Sequence, residues 1–127
     1  MPIKYPDVFE VLEEILGAGG IPVLAHPYLY DSIDLMSELV EKGLAGIEVW
    51  TPTVSDEQIK TLQTFAKKNK LLALGGSDFH GEFSERHGKL GDIIVPETNV
   101  NDLLGYKAKV KRAKKRAEKA AAMEKAE

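Results

Sequence analysis

Three short apolar runs, each preceded by a segment of helical periodicity, constrain this chain more than any other feature. Asp7 with Glu10 three residues later reads as a capping box, and Val8, Val11, Leu12, Ile15 and Leu16 follow at helical spacing until the glycines at 17–20 stop the helix. Residues 21–25 then read as a short buried strand, closed by His26 and Pro27. A second helical pattern opens near Ser32, places Ile33, Met36, Leu39 and Val40 on one face and stops at Gly43, ahead of a strand at 46–50. Ser55 and Gln58 form the next capping box, with Asp56 and Glu57 suited to the positive end of the helix. That helix carries Ile59, Leu62, Phe65 and Ala66 on its apolar face and leads to a strand at 71–75. A fourth strand is predicted at 92–95, stopped by Pro96, and a final helix from about Asn101.

Strands alternating with amphipathic helices call for parallel pairing through right-handed crossovers, and runs this apolar suggest strands covered on both faces. The fold class expected is α/β, with about four parallel strands flanked by helices and a charged helix at the end. No linker divides the chain; residues 1–100 read as one body and 101–127 as an Ala/Lys/Glu-rich tail. Charge separates the same two parts. Nine Lys/Arg against three Glu between Gly105 and Glu127 give that stretch +6 in a chain of total −3, so the rest carries −9. A body this acidic does not suit a general nucleic-acid surface unless metal ions offset it locally. The chain has no cysteine, which excludes disulfides and thiolate metal sites. With no signal peptide and no long apolar run visible, a cytoplasmic protein with no membrane partner is expected.

Parallel topology gathers the carboxyl ends of the strands on one rim, and three of these ends carry ionisable residues. His26 closes the first strand, Glu48 lies within the second in "AGIEVW", and the third runs through two glycines into Asp78 and His80. In an extended segment, side chains two apart share a face, so Asp78 and His80 would converge. Carboxylate and imidazole together suit Zn, Mn or Fe. Gly75 and Gly76 would permit a close backbone approach. Glu48 reads as a ligand, as a group holding a histidine ligand, or as a structural partner of a backbone donor. Arg86, His87 and Lys89 lie in a polar loop, "GEFSERHGKLG", that reads first as solvated surface and that could also offer positive charge to an anionic substrate. Tyr28, Tyr30, Trp50, Phe79 and Phe83 fall at or after strand ends, where wall packing is the plainer reading. No phosphate-binding glycine loop and no serine elbow is present.

The blocks "AGGIPVLAHP", "GLAGIEVW" and "GGSDFHG", in that order and with these intervening helices, resemble the later half of the polymerase and histidinol phosphatase (PHP) domain, over roughly residues 6–96. The resemblance is to the stand-alone metal-dependent phosphoesterases of that family. It implies a distorted β/α barrel with divalent metal ions (manganese, zinc or iron) at its rim. It further implies hydrolysis of phosphomonoesters or phosphodiesters of nucleotides, RNA ends or small metabolites by metal-activated water. His26, Asp78 and His80 fall on metal-ligand positions of the family, Asp78 and His80 being catalytic as well. The family's opening His-x-His strand is not matched, since His26 is the first histidine. The resemblance therefore implies about half a barrel, with at most one metal ion held where the intact site holds two or three, and an isolated chain without activity. It also implies an open edge covered by the missing half or by self-association. The alternative is an inactive scaffold or binding module whose basic tail contacts RNA or an acidic partner.

Overall fold

The computed structural model describes residues 3–29, 31–83 and 89–126. Helix α1 (Val8–Gly17) leads to strand β1 (Val23–Leu24), and a 3-10 turn (Ile33–Leu35) runs into α2 (Met36–Glu41). Strand β2 (Gly46–Trp50), helix α3 (Asp56–Lys68), strand β3 (Leu72–Gly75) and the long helix α4 (Glu97–Lys125) follow. The strands form one parallel sheet in the order β1-β2-β3, with Val23 opposite Gly46 and Gly46 opposite Leu72. Strand β1 is shorter than the apolar run suggests. Pro22 has no N–H to donate, and its carbonyl instead accepts from Ala45 and Gly46 at 3.0 and 3.2 Å.

Local chemistry sets the helix boundaries. Asp7 accepts the Phe9 N–H at the start of α1. The Ser55–Gln58 box on α3 closes in both directions, at 3.2 and 3.0 Å. Helices α1, α2 and α3 all end in the same pair of reversed hydrogen bonds. Gly19 and Gly20 return to Leu16 and Ile15, Gly43 and Leu44 to Val40 and Leu39, and Lys70 and Leu71 to Lys67 and Ala66. The motif needs one residue in the left-handed region. Gly19 (φ +78°) and Gly43 (φ +110°) take it freely, whereas Lys70 takes it at φ +54° with a side chain in place.

One face of the sheet is sealed by helices. Ile47 and Val49, two apart on β2, are fully buried with Leu62 and Ala66 of α3, Leu12 of α1, and Met36 and Leu39 of α2. Each large aliphatic side chain buried in this way stabilises the fold by about 1.5–3 kcal/mol. The other face is not sealed. Glu48 points to it by strand alternation and stays partly exposed, so β2 reads apolar because of one covered face, not two.

Two further expectations are corrected. Residues 92–95 form no strand, and the sheet among the described residues has three. Asp92 folds back as a turn, its carboxylate accepting the Lys89 N–H at 2.8 Å and its own N–H returning to the Lys89 carbonyl, and Ile94 is 83% exposed. Among the described residues no neighbouring strand takes up their backbone groups. Helix α4 begins at Glu97 rather than near Asn101, because Pro96 pre-sets the turn into it. Its half-buried positions, Asn99, Leu103, Tyr106 and Val110, repeat at helical spacing, and every described residue after Val110 is exposed. Clefts between α4 and residues 18–21, and between α4 and residues 70–72, place the helix across the amino ends of β1 and β3. The basic tail thus leaves from the side opposite the rim that carries His26 and Asp78.

Candidate metal centre at the carboxyl edge of the sheet

Gly75 shapes the rim. A Cβ there would lie 2.3 Å from the Trp50 carbonyl oxygen and 2.8 Å from the Trp50 Cβ, so only glycine lets β3 close on the end of β2. The Gly76 N–H then donates to the Trp50 carbonyl at 2.9 Å, and the β2–β3 register shifts between Glu48 and Trp50. A Cβ at Gly76 would meet nothing, so of the two glycines only the first is required by contact. The chain released beyond this clasp brings Asp78 over the end of β1.

There Glu48, His26, Asp78 and His80 form a connected set. The His26 N–H donates to Glu48 Oε2 at 3.1 Å, and His26 Nδ1 lies 3.3 Å from the same oxygen. On the other side of the ring, His26 Nε2 lies 4.0 Å from Asp78 Oδ2. The second Asp78 oxygen, Oδ1, is 3.9 Å from His80 Nε2, while His80 Nδ1 packs closely against the Asp78 main-chain carbonyl. His26 and Glu48 are roughly three-quarters buried, whereas Asp78 and His80 are open to solvent at 44% and 36%.

The convergence is reached by an unexpected route. Asp78 is not extended but left-handed, at φ +54°, and His26 is left-handed too, at φ +47°. For a residue with a side chain this conformation costs about 1–2 kcal/mol, and it persists only where the surroundings hold it. Each of the two has such a hold, the Glu48 carboxylate on the His26 N–H and the His80 ring on the Asp78 carbonyl.

Among the described residues, no three His, Asp or Glu side chains gather about one point as a closed metal cage. In kind, imidazole and carboxylate are donors that suit a divalent cation. Two donors on one tetrahedral ion, with metal bonds of about 2.0–2.2 Å, stand about 3.4 Å apart, closer than either histidine–Asp78 gap. The two gaps here are 4.0 and 3.9 Å. Of the remaining candidates, Lys89 is exposed and spends its N–H on Asp92. Arg86 and His87 lie outside the described residues, as does Tyr30. Phe79 and Phe83 are exposed rather than packed as a wall. One residue escapes the sequence reading: Thr51, buried at the end of β2 beside the clasp, whose only sequence signal is its place just after a strand.

No family model matches the chain. Over 81 residues it is 40% identical to a phosphoribosyl 1,2-cyclic phosphate 1,2-diphosphodiesterase of Eggerthella lenta, covering 64% of this chain and 31% of that protein. Over 86 residues it is 36% identical to a 3',5'-nucleoside bisphosphate phosphatase of Chromobacterium violaceum, covering 62% of this chain and 30% of that protein. The chain thus spans about a third of the length of the curated relatives it matches. Among solved structures, a Bifidobacterium adolescentis protein described as a metal-dependent phosphoesterase superposes with a TM-score of 0.70 at 33% identity, over 82% of this chain and 38% of that one. An amidohydrolase of Chromobacterium violaceum, solved with bound sulfate and no metal, superposes with a TM-score of 0.54 at 28% identity, over 76% of this chain and 36% of that one. By sequence the likenesses are to phosphoesterases, and by structure to a metal-dependent phosphoesterase and an amidohydrolase.

Proposed function

We propose that this chain carries the later part of a PHP-type phosphoesterase barrel and holds its share of a divalent-metal centre through His26, Asp78 and His80. The observation that carries the proposal is the placement of the two imidazole Nε2 atoms against the two oxygens of one carboxylate, at the carboxyl edge of a parallel sheet. The likeness to a cyclic-phosphate diphosphodiesterase and a bisphosphate phosphatase supports a phosphoester substrate, a nucleotide, an RNA end or a small phosphorylated metabolite. When bound, divalent metal ions supply Lewis-acid polarisation of the phosphoryl oxygens and a water of lowered pKa. Asp78, with two acceptor oxygens, orients the attacking water, and His80 stands beside it on the solvent side. Lys89, Arg86 and His87 are proposed to bring positive charge to the phosphate. Because the chain contributes only part of the ligand set, by itself it is expected to hydrolyse phosphoesters no faster than free metal in buffer.

Titration calorimetry with Mn²⁺ and Zn²⁺ tests the ligand assignment. The wild-type chain should bind, and the Asp78→Ala/His80→Ala double variant should lose that binding while keeping its far-ultraviolet circular dichroism. Equal affinity in the two proteins would refute the assignment.

A further inference from the structure

Helix α4 continues for about 22 Å past Val110, its last half-buried residue. Between Lys107 and Lys119 it carries eight Lys or Arg and a single acid, Glu118. Among the described residues none of these cations enters an ion pair. Like charges recur four apart, at Lys107 and Lys111, Lys111 and Lys115, and Arg112 and Arg116. Such repetition destabilises a helix, and an anion laid along it removes the repulsion. Two clefts carry the positive charge back onto the body. Lys107, Lys111 and Lys114 line one with residues 18–21, and Lys109 lines the other with Lys70.

The acidic body does not oppose an anion here, because its charge is sorted by end. A helix joining parallel strands starts at the carboxyl edge of the sheet and finishes at the amino edge. The first turns hold Glu38, Asp56 and Glu57, beside the rim residues Glu48 and Asp78, whereas the last turn of α3 holds Lys67 and Lys68. Glu13, Glu14, Glu41 and Asp102 are the acids left toward the amino edge, which α4 crosses. The chemistry of the exposed stretch then selects the partner. A protein is held mainly by large anchors buried at the centre of the contact. Past Val110, the line that continues the packing face of α4 offers Ala113, Ala117 and Ala120, and Met123 is the one large apolar side chain. With no such cluster to bury, the binding energy must come from charge. A phosphodiester backbone rewards charge most, by releasing its condensed counterions. No aromatic residue follows Tyr106, so bases have no platform to stack on. We propose that α4 is a nucleic-acid dock whose Lys/Arg stretch from 107 to 119 binds the phosphate backbone without regard to sequence, away from the metal rim. The dock does not rest on the metal-centre reading.

The test follows the fluorescence anisotropy of labelled oligouridine with the full chain and no added metal. About five phosphate contacts on a single strand give a salt slope of about −3.5, so affinity should fall about 100-fold between about 50 and 200 mM salt. The Lys111→Gln/Arg112→Gln/Lys114→Gln/Lys115→Gln/Arg116→Gln variant keeps good helix formers and should keep its circular dichroism. It should lose most of the salt slope and about 10-fold or more in affinity at the lower salt. A second variant, Lys4→Gln/Lys42→Gln/Lys60→Gln/Lys67→Gln/Lys68→Gln, removes the same charge from the body and should keep the wild-type slope. Polyglutamate, negative but without phosphodiesters, should bind more weakly than oligouridine. Affinity that ignores salt, affinity that survives in the α4 variant, or equal loss in the two variants would overturn the dock. Polyglutamate binding as tight as oligouridine would overturn it too, in favour of an acidic protein partner.

Discussion

Replacing Gly75 with alanine tests the link between the sheet and the rim it supports. The added Cβ would sit 2.3 Å from the Trp50 carbonyl oxygen and 2.8 Å from the Trp50 Cβ, both parts of the neighbouring strand rather than the loose end of a side chain. Ordinary contact begins near 3.4 Å, so β3 must retreat from β2 by about an ångström at its carboxyl end. Overpacking of this kind costs about 1–3 kcal/mol. The Gly76-to-Trp50 hydrogen bond, 2.9 Å long, stands in the path of the retreat and contributes about 1 kcal/mol more. The expected loss is therefore about 2–4 kcal/mol out of a total stability of about 5–15 kcal/mol. With an m-value of about 2 kcal/mol/M, the urea midpoint should fall by about 1–2 M. The fluorescence of Trp50, the single tryptophan of the chain, reports the transition from the site of the clash. Gly76→Ala is the control. It lies one residue on, with no atom within 4 Å of a new Cβ and no positive φ, and its midpoint should hardly move. Equal losses in the two variants, or a Gly75→Ala loss below about 0.5 kcal/mol, would refute the close-approach argument, since that is the scatter of surface substitutions.

Lys70→Gly should stabilise the chain by about 0.5–1 kcal/mol, the left-handed penalty relieved less the added freedom of glycine in the unfolded state. A urea midpoint no higher than that of Lys70→Ala, which keeps the penalty and removes only the charge, would show that its φ of +54° stores no strain. The unsealed sheet face, together with Phe79, Phe83, Leu90 and Ile94 exposed on the segment beyond β3, should drive self-association as concentration rises. Sedimentation velocity across a concentration series measures it, and a single monomeric species throughout would remove the proposal.

Much of the chain could be read in advance because the signals are local. Helical spacing, the Ser55–Gln58 box and the glycines after α1 and α2 act within a few residues, and these elements form where the periodicity places them. The failures are equally physical. A strand is a pairing, not a propensity. Residues 92–95 are apolar enough to read as one, yet among the described residues no strand lies beside them, and Asp92 closes on Lys89 instead. Helix α4 starts four residues early because Pro96 fixes the turn and Asn99, Leu103 and Tyr106 have somewhere to pack.

The residue types at the strand ends, two imidazoles and two carboxylates, are legible without the fold, since side-chain chemistry needs none to be read. Equally legible is the alternation that makes a parallel sheet the economical way to bury three apolar runs. How those residues meet depends on the packed fold. Asp78 and His80 converge through a left-handed turn and not an extended strand, and the Glu48 carboxylate accepts the His26 N–H. Twenty-two residues of sequence separate Glu48 from His26, and nothing local in either stretch encodes the contact. It arises because Gly46 and Val23 pair in register, which carries both side chains to the same edge of the sheet.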